Sequence, residues 1–241
     1  MNGAGIPTEQ SMSINLIGTK IVEIPYFASH LGEISNSILL VGERDGEEGI
    51  GKTVHEMGYT DVITTDMSIS KDDSWLKQNT NWKHIVSDFV EFDESKTYDR
   101  IVAVSVFEHF GFWFDGAHMA NGLAVPDMCR WNHDLAGINK ACRLLKNSDS
   151  KLIITLPAGP YLNYEDSGKP WLRSYDARRQ AIVKAELNKN GYVIDNATFF
   201  HSSDFYNWKE VGHEINDPRN YGAYCVTSPN VIWGFTVSRI V

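Results

Sequence analysis

Short apolar runs alternate along the chain with stretches whose apolar residues recur every three or four positions. That alternation predicts strand–helix–strand units and a parallel sheet. The runs read as strands are SILLVG (37–42), DVITTD (61–66), HIVSDF (84–89), RIVAVSV (100–106) and KLIITLPA (151–158), with YVIDNATFF (192–200) and NVIWGFTVSRIV (230–241) closing the chain. The clearest helix is HDLAGINKACRLLKN, in which Leu135, Ile138, Ala141, Cys142 and Leu145 recur at helical spacing. A second covers DARRQAIVKAELNKNG with Gly191 as its cap, and a weaker third covers 47–57 and stops at Gly58. Segments 1–36 and the aromatic-rich 107–131 carry no clear period, and the polar stretches 159–174 and 201–229 read as long loops. Loops of that length on an α/β scaffold carry function or form lids. The expected organisation is one α/β domain over 37–241 with inserted loops at 107–131, 159–174 and 201–229. The extension at 1–36 would serve the substrate side or an oligomer contact.

Composition narrows the partners. The 241 residues suit one large α/β domain, and 42% hydrophobic content supports a full core. Acidic residues outnumber basic ones 31 to 22, for a formal charge of −9, which argues against a dedicated nucleic-acid binder. Cys129, Cys142 and Cys225 are far apart and form no CxxC pair, as expected for reduced thiols in a cytosol. No run of about 18 apolar residues occurs, and MNGAGIPTEQSMS lacks a charged start followed by an apolar stretch. The expectation is a soluble cytoplasmic protein with a small-molecule partner, no nucleic acid, no membrane span, and room for a homodimer.

One motif competes for attention. GEEGIGKT, Gly46 to Thr53, spells a P-loop, whose backbone N–H groups wrap nucleotide phosphates while its Lys reaches the outer ones. Its context disagrees. The strand before it ends near Val41, several residues too early, and Glu47 and Glu48 would sit against phosphate oxygens. The best candidate strand for the Asp that would hold magnesium, RIVAVSVFE, ends in Glu108, and KLIITLPAG ends with no acid. Gly51, Lys52 and Thr53 read better as the first turns of a surface helix with Lys52 solvated. The dinucleotide fingerprint fails as well, because Arg44 stands where its second glycine belongs. What survives is a strand, Gly42, a bent loop, Gly46 and a helix, followed by Asp66 at the end of the second strand and Asp88 at the end of the third. Carboxyl ends of parallel strands are where open α/β sheets bind ligands, and an acid there accepts from ribose hydroxyls.

With these residues in place the chain resembles the class I S-adenosylmethionine-dependent methyltransferases over roughly 37–241. ILLVGERDG is similar to their first motif, VITTDMS to the second, VSDFVEFD to the third and YDRIVAVSVFEHFG to the fourth, while RLLKNSDSKLIITLPAG resembles their fifth strand and its preceding helix. The resemblance implies a doubly wound, seven-stranded, mostly parallel α/β sheet with an antiparallel last strand, a Rossmann-like fold. It implies S-adenosylmethionine as cofactor and S-adenosylhomocysteine as product. Gly42, Glu43 and Gly46 would line the methionyl and ribose part, Asp66 with Met67 the ribose, Asp88 and Phe89 the adenine, and Ser105 the sulfonium. Two departures stand out: Leu40 occupies a position that is often acidic in the family, and Arg44 one that is often glycine.

A hydroxyl acceptor needs a base, and an imidazole suits that task near neutral pH. His109, just beyond the fourth strand, is the first candidate, with His133 and Asp127 next; Asp134 reads as an N-cap. A divalent metal among Asp127, His133 and Asp134 is not favoured, since their spacing is no recognised ligand pattern. Aromatic residues crowd the irregular segments: Phe112, Trp113, Phe114, Trp131, Tyr161, Tyr164 and Trp171 suggest a walled pocket. LPAGPYLNYEDSGKPWLRSYD looks like the lid of methyltransferases of surface-polysaccharide biosynthesis, which implies a sugar, nucleotide-linked sugar or glycan precursor. Trp113, Trp131, Tyr161, Asn163, Arg173 and Tyr175 would face it. Three alternatives remain open. One is a methyltransferase-like scaffold without catalysis. Another is the nucleotide hydrolase of GEEGIGKT. The last is an N-methyltransferase, which needs less base assistance and an acidic pocket for its amine.

Overall fold

The computed structural model describes residues 19–33, 37–43, 49–67, 81–112, 132–159, 163–166, 169–204, 206–211 and 231–240. Ten strands and four α-helices are defined among them. The strands are β1 (Ile38–Val41), β2 (Val62–Asp66), β3 (Lys83–Val86), β4 (Arg100–Val104), β5 (Lys151–Pro157), β6 (Asn163–Asp166), β7 (Lys169–Arg173), β8 (Tyr192–Ser202), β9 (Trp208–Glu210) and β10 (Val231–Arg239). The helices are α1 (Lys20–Leu31), α2 (Ile50–Glu56), α3 (His133–Arg143) and α4 (Ala177–Lys189).

The main sheet has the order β3-β2-β1-β4-β5-β10-β8-β9. Its first five strands pair in parallel, and β10 runs antiparallel between β5 and β8. The doubly wound arrangement matches the expectation, with β9 added as an eighth strand at the edge. Strand β1 is buried on both faces, and its alternation divides the core. Leu39 and Val41 join Ile138 and Ala141 of α3 and Val183 and Leu187 of α4. Ile38 and Leu40 join Ile24, Phe27 and Leu31 of α1 and Ile50 and Val54 of α2.

Helix α1 lies in the segment read from sequence as an extension, yet it is a structural member of the second layer. Its Ile24, Phe27 and Leu31 are fully buried. In β10, Gly234 makes room for it: a Cβ there would come within 2.8 Å of the Tyr26 ring. Arg100 of β4 donates from Nε to the Leu31 carbonyl at 2.7 Å, satisfying an acceptor at the helix end.

Three boundaries differ from the sequence reading. The third strand stops at Val86, and a 3-10 turn over Phe89–Glu91 follows it. Helix α3 stops at Arg143, because the chain then bends to pair Leu145 with Tyr98. The loop expected at 159–174 holds the hairpin β6–β7, in which Asn163 pairs with Arg173.

Candidate active site at the carboxyl ends of the strands

Where β1 ends, Gly42 turns the chain at φ 76° and lies against the loop after β4. A Cβ on Gly42 would fall 2.1 Å from Val106 Cγ2, so only glycine lets the two strand ends approach. Glu43 was expected to line a cofactor. Instead it is buried and its Oε1 accepts from the Gly51 N–H at 3.4 Å, at the first turn of α2, where a helix start favours an anion. Gly46 lies outside the described residues. Asp66 closes β2, half-buried, and its carbonyl accepts from Ser87 N–H at 3.0 Å; Met67 follows, also half-buried.

Asp88 does not end a strand. It caps the 3-10 turn, with Oδ1 accepting from Val90 N–H at 3.0 Å, which suits the preference of Asp for local backbone donors. That leaves Oδ2 facing His133 Nε2 at 3.9 Å. Phe89 is buried among Phe92, Phe107 and Phe110, with ring centroids 5.8–6.2 Å away, so its ring is committed to the core and not to a ligand. His133 opens α3 beside Asp88 and the Phe110 ring, and its Nε2 is buried with no hydrogen-bond partner among the described residues.

The expected lid residues are also re-assigned. Asp134 is not the cap of α3; Asn132 holds that position without a side-chain bond. Asp134 is fully buried and accepts from the Tyr175 hydroxyl at 2.8 Å, pairs with Arg173 Nη1 at 2.8 Å, and takes two bonds from Arg179, one from Nε at 3.2 Å and a closer one from Nη2. Arg173 also donates from Nη2 to the Phe110 carbonyl at 2.7 Å and stacks 4.2 Å over the buried Phe112 ring. Burial, and then the Asp134 charge, hold the Tyr175 phenol well above its ordinary range. Arg173 and Tyr175, expected to face a substrate, are thus engaged by Asp134 in the core. Asp127, Trp113, Trp131 and Tyr161, like Phe114, lie outside the described residues, as do the side chains of Asn163, Tyr164 and Trp171. Among the described residues no three of His, Cys, Asp and Glu converge to hold a metal.

At the end of β4 stands a group that sequence reasoning missed. Ser105 has φ 50° and donates from Oγ in a short bond to Glu23 Oε1, which also accepts from Thr155 Oγ1 at 2.7 Å. Glu23 is fully buried on α1, and its Oε2 pairs with Lys20 Nζ at 3.2 Å. Burial alone would raise its carboxyl, but the Lys20 ammonium and the hydroxyls of Ser105 and Thr155 outweigh that and hold it below the usual carboxylate range. Glu108 lies in the 3-10 turn Phe107–His109, 2% exposed, and its Oε2 has no hydrogen-bond partner among the described residues. Burial first, and then the Glu23 charge, push its carboxyl up to about 8. The signal in the sequence was a lone acid inside each of two apolar runs, VEIPYF and VSVFEHF. His109 is half-buried on the same turn, its N–H held by the Val106 carbonyl at 3.1 Å.

No protein-family model matches the chain, and no curated protein matches it in sequence. Solved structures do. The chain is similar to the 1,6-didemethyltoxoflavin N1-methyltransferase of Burkholderia thailandensis, solved with its acceptor and S-adenosylhomocysteine, at TM-score 0.56 and 14% identity over 88% of this chain and 74% of that one. The glycopeptide N-methyltransferase MtfA matches at TM-score 0.53 and 13% identity over 94% of both chains. The N-methyltransferase NodS of Bradyrhizobium japonicum matches at TM-score 0.51 and 9% identity over 88% and 90%. At such identities the likeness shows the fold, which is that of the class I methyltransferases.

Proposed function

We propose that the chain is an S-adenosylmethionine-dependent methyltransferase acting on a small-molecule acceptor. One observation carries the reading. The ends of β1, β2 and β4 bring together a glycine turn packed on Val106, a strand-end Asp66 and Ser105 above two buried acids. The shared fold supports it, as does the bound S-adenosylhomocysteine of the Burkholderia enzyme. The residues fit such a cofactor: Asp66 can accept from ribose hydroxyls, and Asp88 with His133 Nε2, which makes no hydrogen bond among the described residues, can meet a purine edge. When bound, the cofactor supplies a methyl group on a sulfonium. The chain's task is to align the acceptor in line, exclude water and take up a proton.

A sugar hydroxyl as acceptor keeps less support. Of the four lid residues expected to face it, Arg173 and Tyr175 are engaged by Asp134. The nucleotide-hydrolase reading weakens too. Thr53 Oγ1 donates to the Gly49 carbonyl at 2.8 Å inside α2, and Lys52 lies 3.9 Å from Glu56 on its exposed face. Calorimetric titration with S-adenosylhomocysteine tests the proposal: saturable one-site binding is expected, and a folded protein that takes up none leaves the scaffold reading.

A further inference from the structure

We propose that Glu108, held beside Glu23, receives an amine acceptor as its ammonium ion and takes the proton that ion must lose before methylation. The inference rests on the methyltransferase reading and names the acceptor class for the same site.

The geometry is specific. Glu23 holds two hydroxyl donors on Oε1, and its Oε2, without a hydrogen bond among the described residues, lies 3.2 Å from the Lys20 ammonium. Glu108 Oε2 has neither a donor nor a cation paired with it among the described residues, a costly state for an acceptor sealed from water. The charged and titratable groups that act on it are Glu23 and Lys20 from α1 and the Tyr175 phenol before α4, and the Ser105 hydroxyl beside it donates to Glu23. Those hydroxyls are already spent as donors. With both acids ionised, Glu23, Glu108 and Lys20 leave one negative charge over. A ligand that brings several donors and one positive charge completes the set; a neutral hydroxyl brings one donor and no charge.

Proton affinity points the same way. A carboxyl raised to about 8 lies roughly two pH units below an amine like that of lysine, near 10.4, but almost eight below a hydroxyl like that of water, near 15.7. Transfer to Glu108 is thus a disadvantage of a few hundredfold for an ammonium and of many millionfold for a hydroxyl. The step balances. An N–H bond breaks and its proton goes to the Glu108 carboxylate. The freed lone pair forms the N–CH3 bond, and the C–S pair returns to sulfur, which leaves as a neutral thioether.

The test follows the Glu108 carboxyl by infrared titration, with and without S-adenosylhomocysteine, in wild type and Glu108→Gln. Methylammonium is the probe and methanol its neutral control. A carboxylic-acid band that titrates near pH 8 in wild type is expected to vanish in Glu108→Gln. Methylammonium is expected to move that titration down by about one pH unit or more, the mark of at least tenfold tighter binding to the ionised form. Methanol is expected to leave it in place. A titration unmoved by methylammonium, one moved equally by methanol, or a band that persists in Glu108→Gln overturns the proposal. Should Glu108→Gln not fold, Glu23→Gln gives a second reading: losing that charge is expected to lower the Glu108 titration, and no change overturns the pairing. A wild type that answers to methylammonium but takes up no S-adenosylhomocysteine refutes the methyltransferase reading and leaves the amine site standing.

Discussion

Asp134 and Glu108 are both carboxyl groups sealed inside the protein, near enough that each acts on the same Tyr175 phenol, and they are kept in opposite ways. Asp134 is surrounded by donors: two guanidiniums and a phenol from β7, the turn after it and α4. Glu108 has an oxygen with no donor among the described residues and a like charge beside it. The first arrangement ties α3, the hairpin strand β7 and α4 together. The second stores a proton at a strand end where open α/β sheets do chemistry. Burial alone does not separate a structural acid from a functional one; the completeness of its hydrogen bonding does.

The largest expected effect removes the satisfied acid. Asp134→Ala leaves Arg173 and Arg179 as uncompensated charges and should cost about 3–5 kcal/mol in urea unfolding. A loss under about 1 kcal/mol would mean that the network is solvated and that the contrast with Glu108 fails.

Next come the two candidate proton acceptors on one turn. Glu108→Gln should lower turnover of an amine acceptor by about 10²- to 10⁴-fold, whereas His109→Ala should cost less than tenfold. The reverse ranking would restore His109 as the base. Stability gives an independent check with a defined sign. Glu108 is raised from 4.5 to about 8 in the fold, so its contribution is present below 4.5 and is lost as pH rises to about 8. The slope reaches at most about 1.4 kcal/mol per pH unit and should be missing in Glu108→Gln. Glu23, whose carboxyl is lowered, acts in the opposite sense: its contribution is present above 4.5 and is lost as pH falls further.

A smaller effect is expected at the mouth of β2. Asp66→Ala should weaken S-adenosylhomocysteine binding by about 1.5–3 kcal/mol for each ribose bond lost, with unfolding unchanged. Unchanged affinity would move the cofactor away from this strand end.

The contrast also explains what was legible in the sequence. Strands β1, β2, β4, β5 and β10 carry apolar runs dense enough to name, though their order in the sheet shows only in the fold. Helix α1 was not legible, because Lys20 and Glu23 interrupt its apolar face and Pro25 sits inside it, where proline argues against a helix. Asp88 was misplaced by two residues past a strand end, since a short exposed edge strand such as β3 gives little pattern. Arg173 and Tyr175 looked like ligand residues because polar and aromatic groups in a loop-like stretch usually face water; their partner, Asp134, is some forty positions away. Glu23 and Ser105 are 82 positions apart, so the acid pair exists only once α1 packs on the sheet.

The smallest expected effect is at Lys52, the residue that makes GEEGIGKT spell a phosphate loop. In the fold it stands on the exposed side of α2, 3.9 Å from Glu56 one turn on, both side chains partly open to water. Exposed pairs of this kind contribute about 0.3–0.5 kcal/mol, and alanine returns part of that through its helix propensity. Lys52→Ala should therefore change unfolding by no more than about 0.5 kcal/mol and leave S-adenosylhomocysteine affinity intact. Thr53 gives the same answer from the next position, because its hydroxyl bonds the Gly49 carbonyl and is not free for a metal. ATP or GTP binding by wild type that is lost in Lys52→Ala would make the start of α2 a phosphate site after all. It would also move the chemistry away from Glu108.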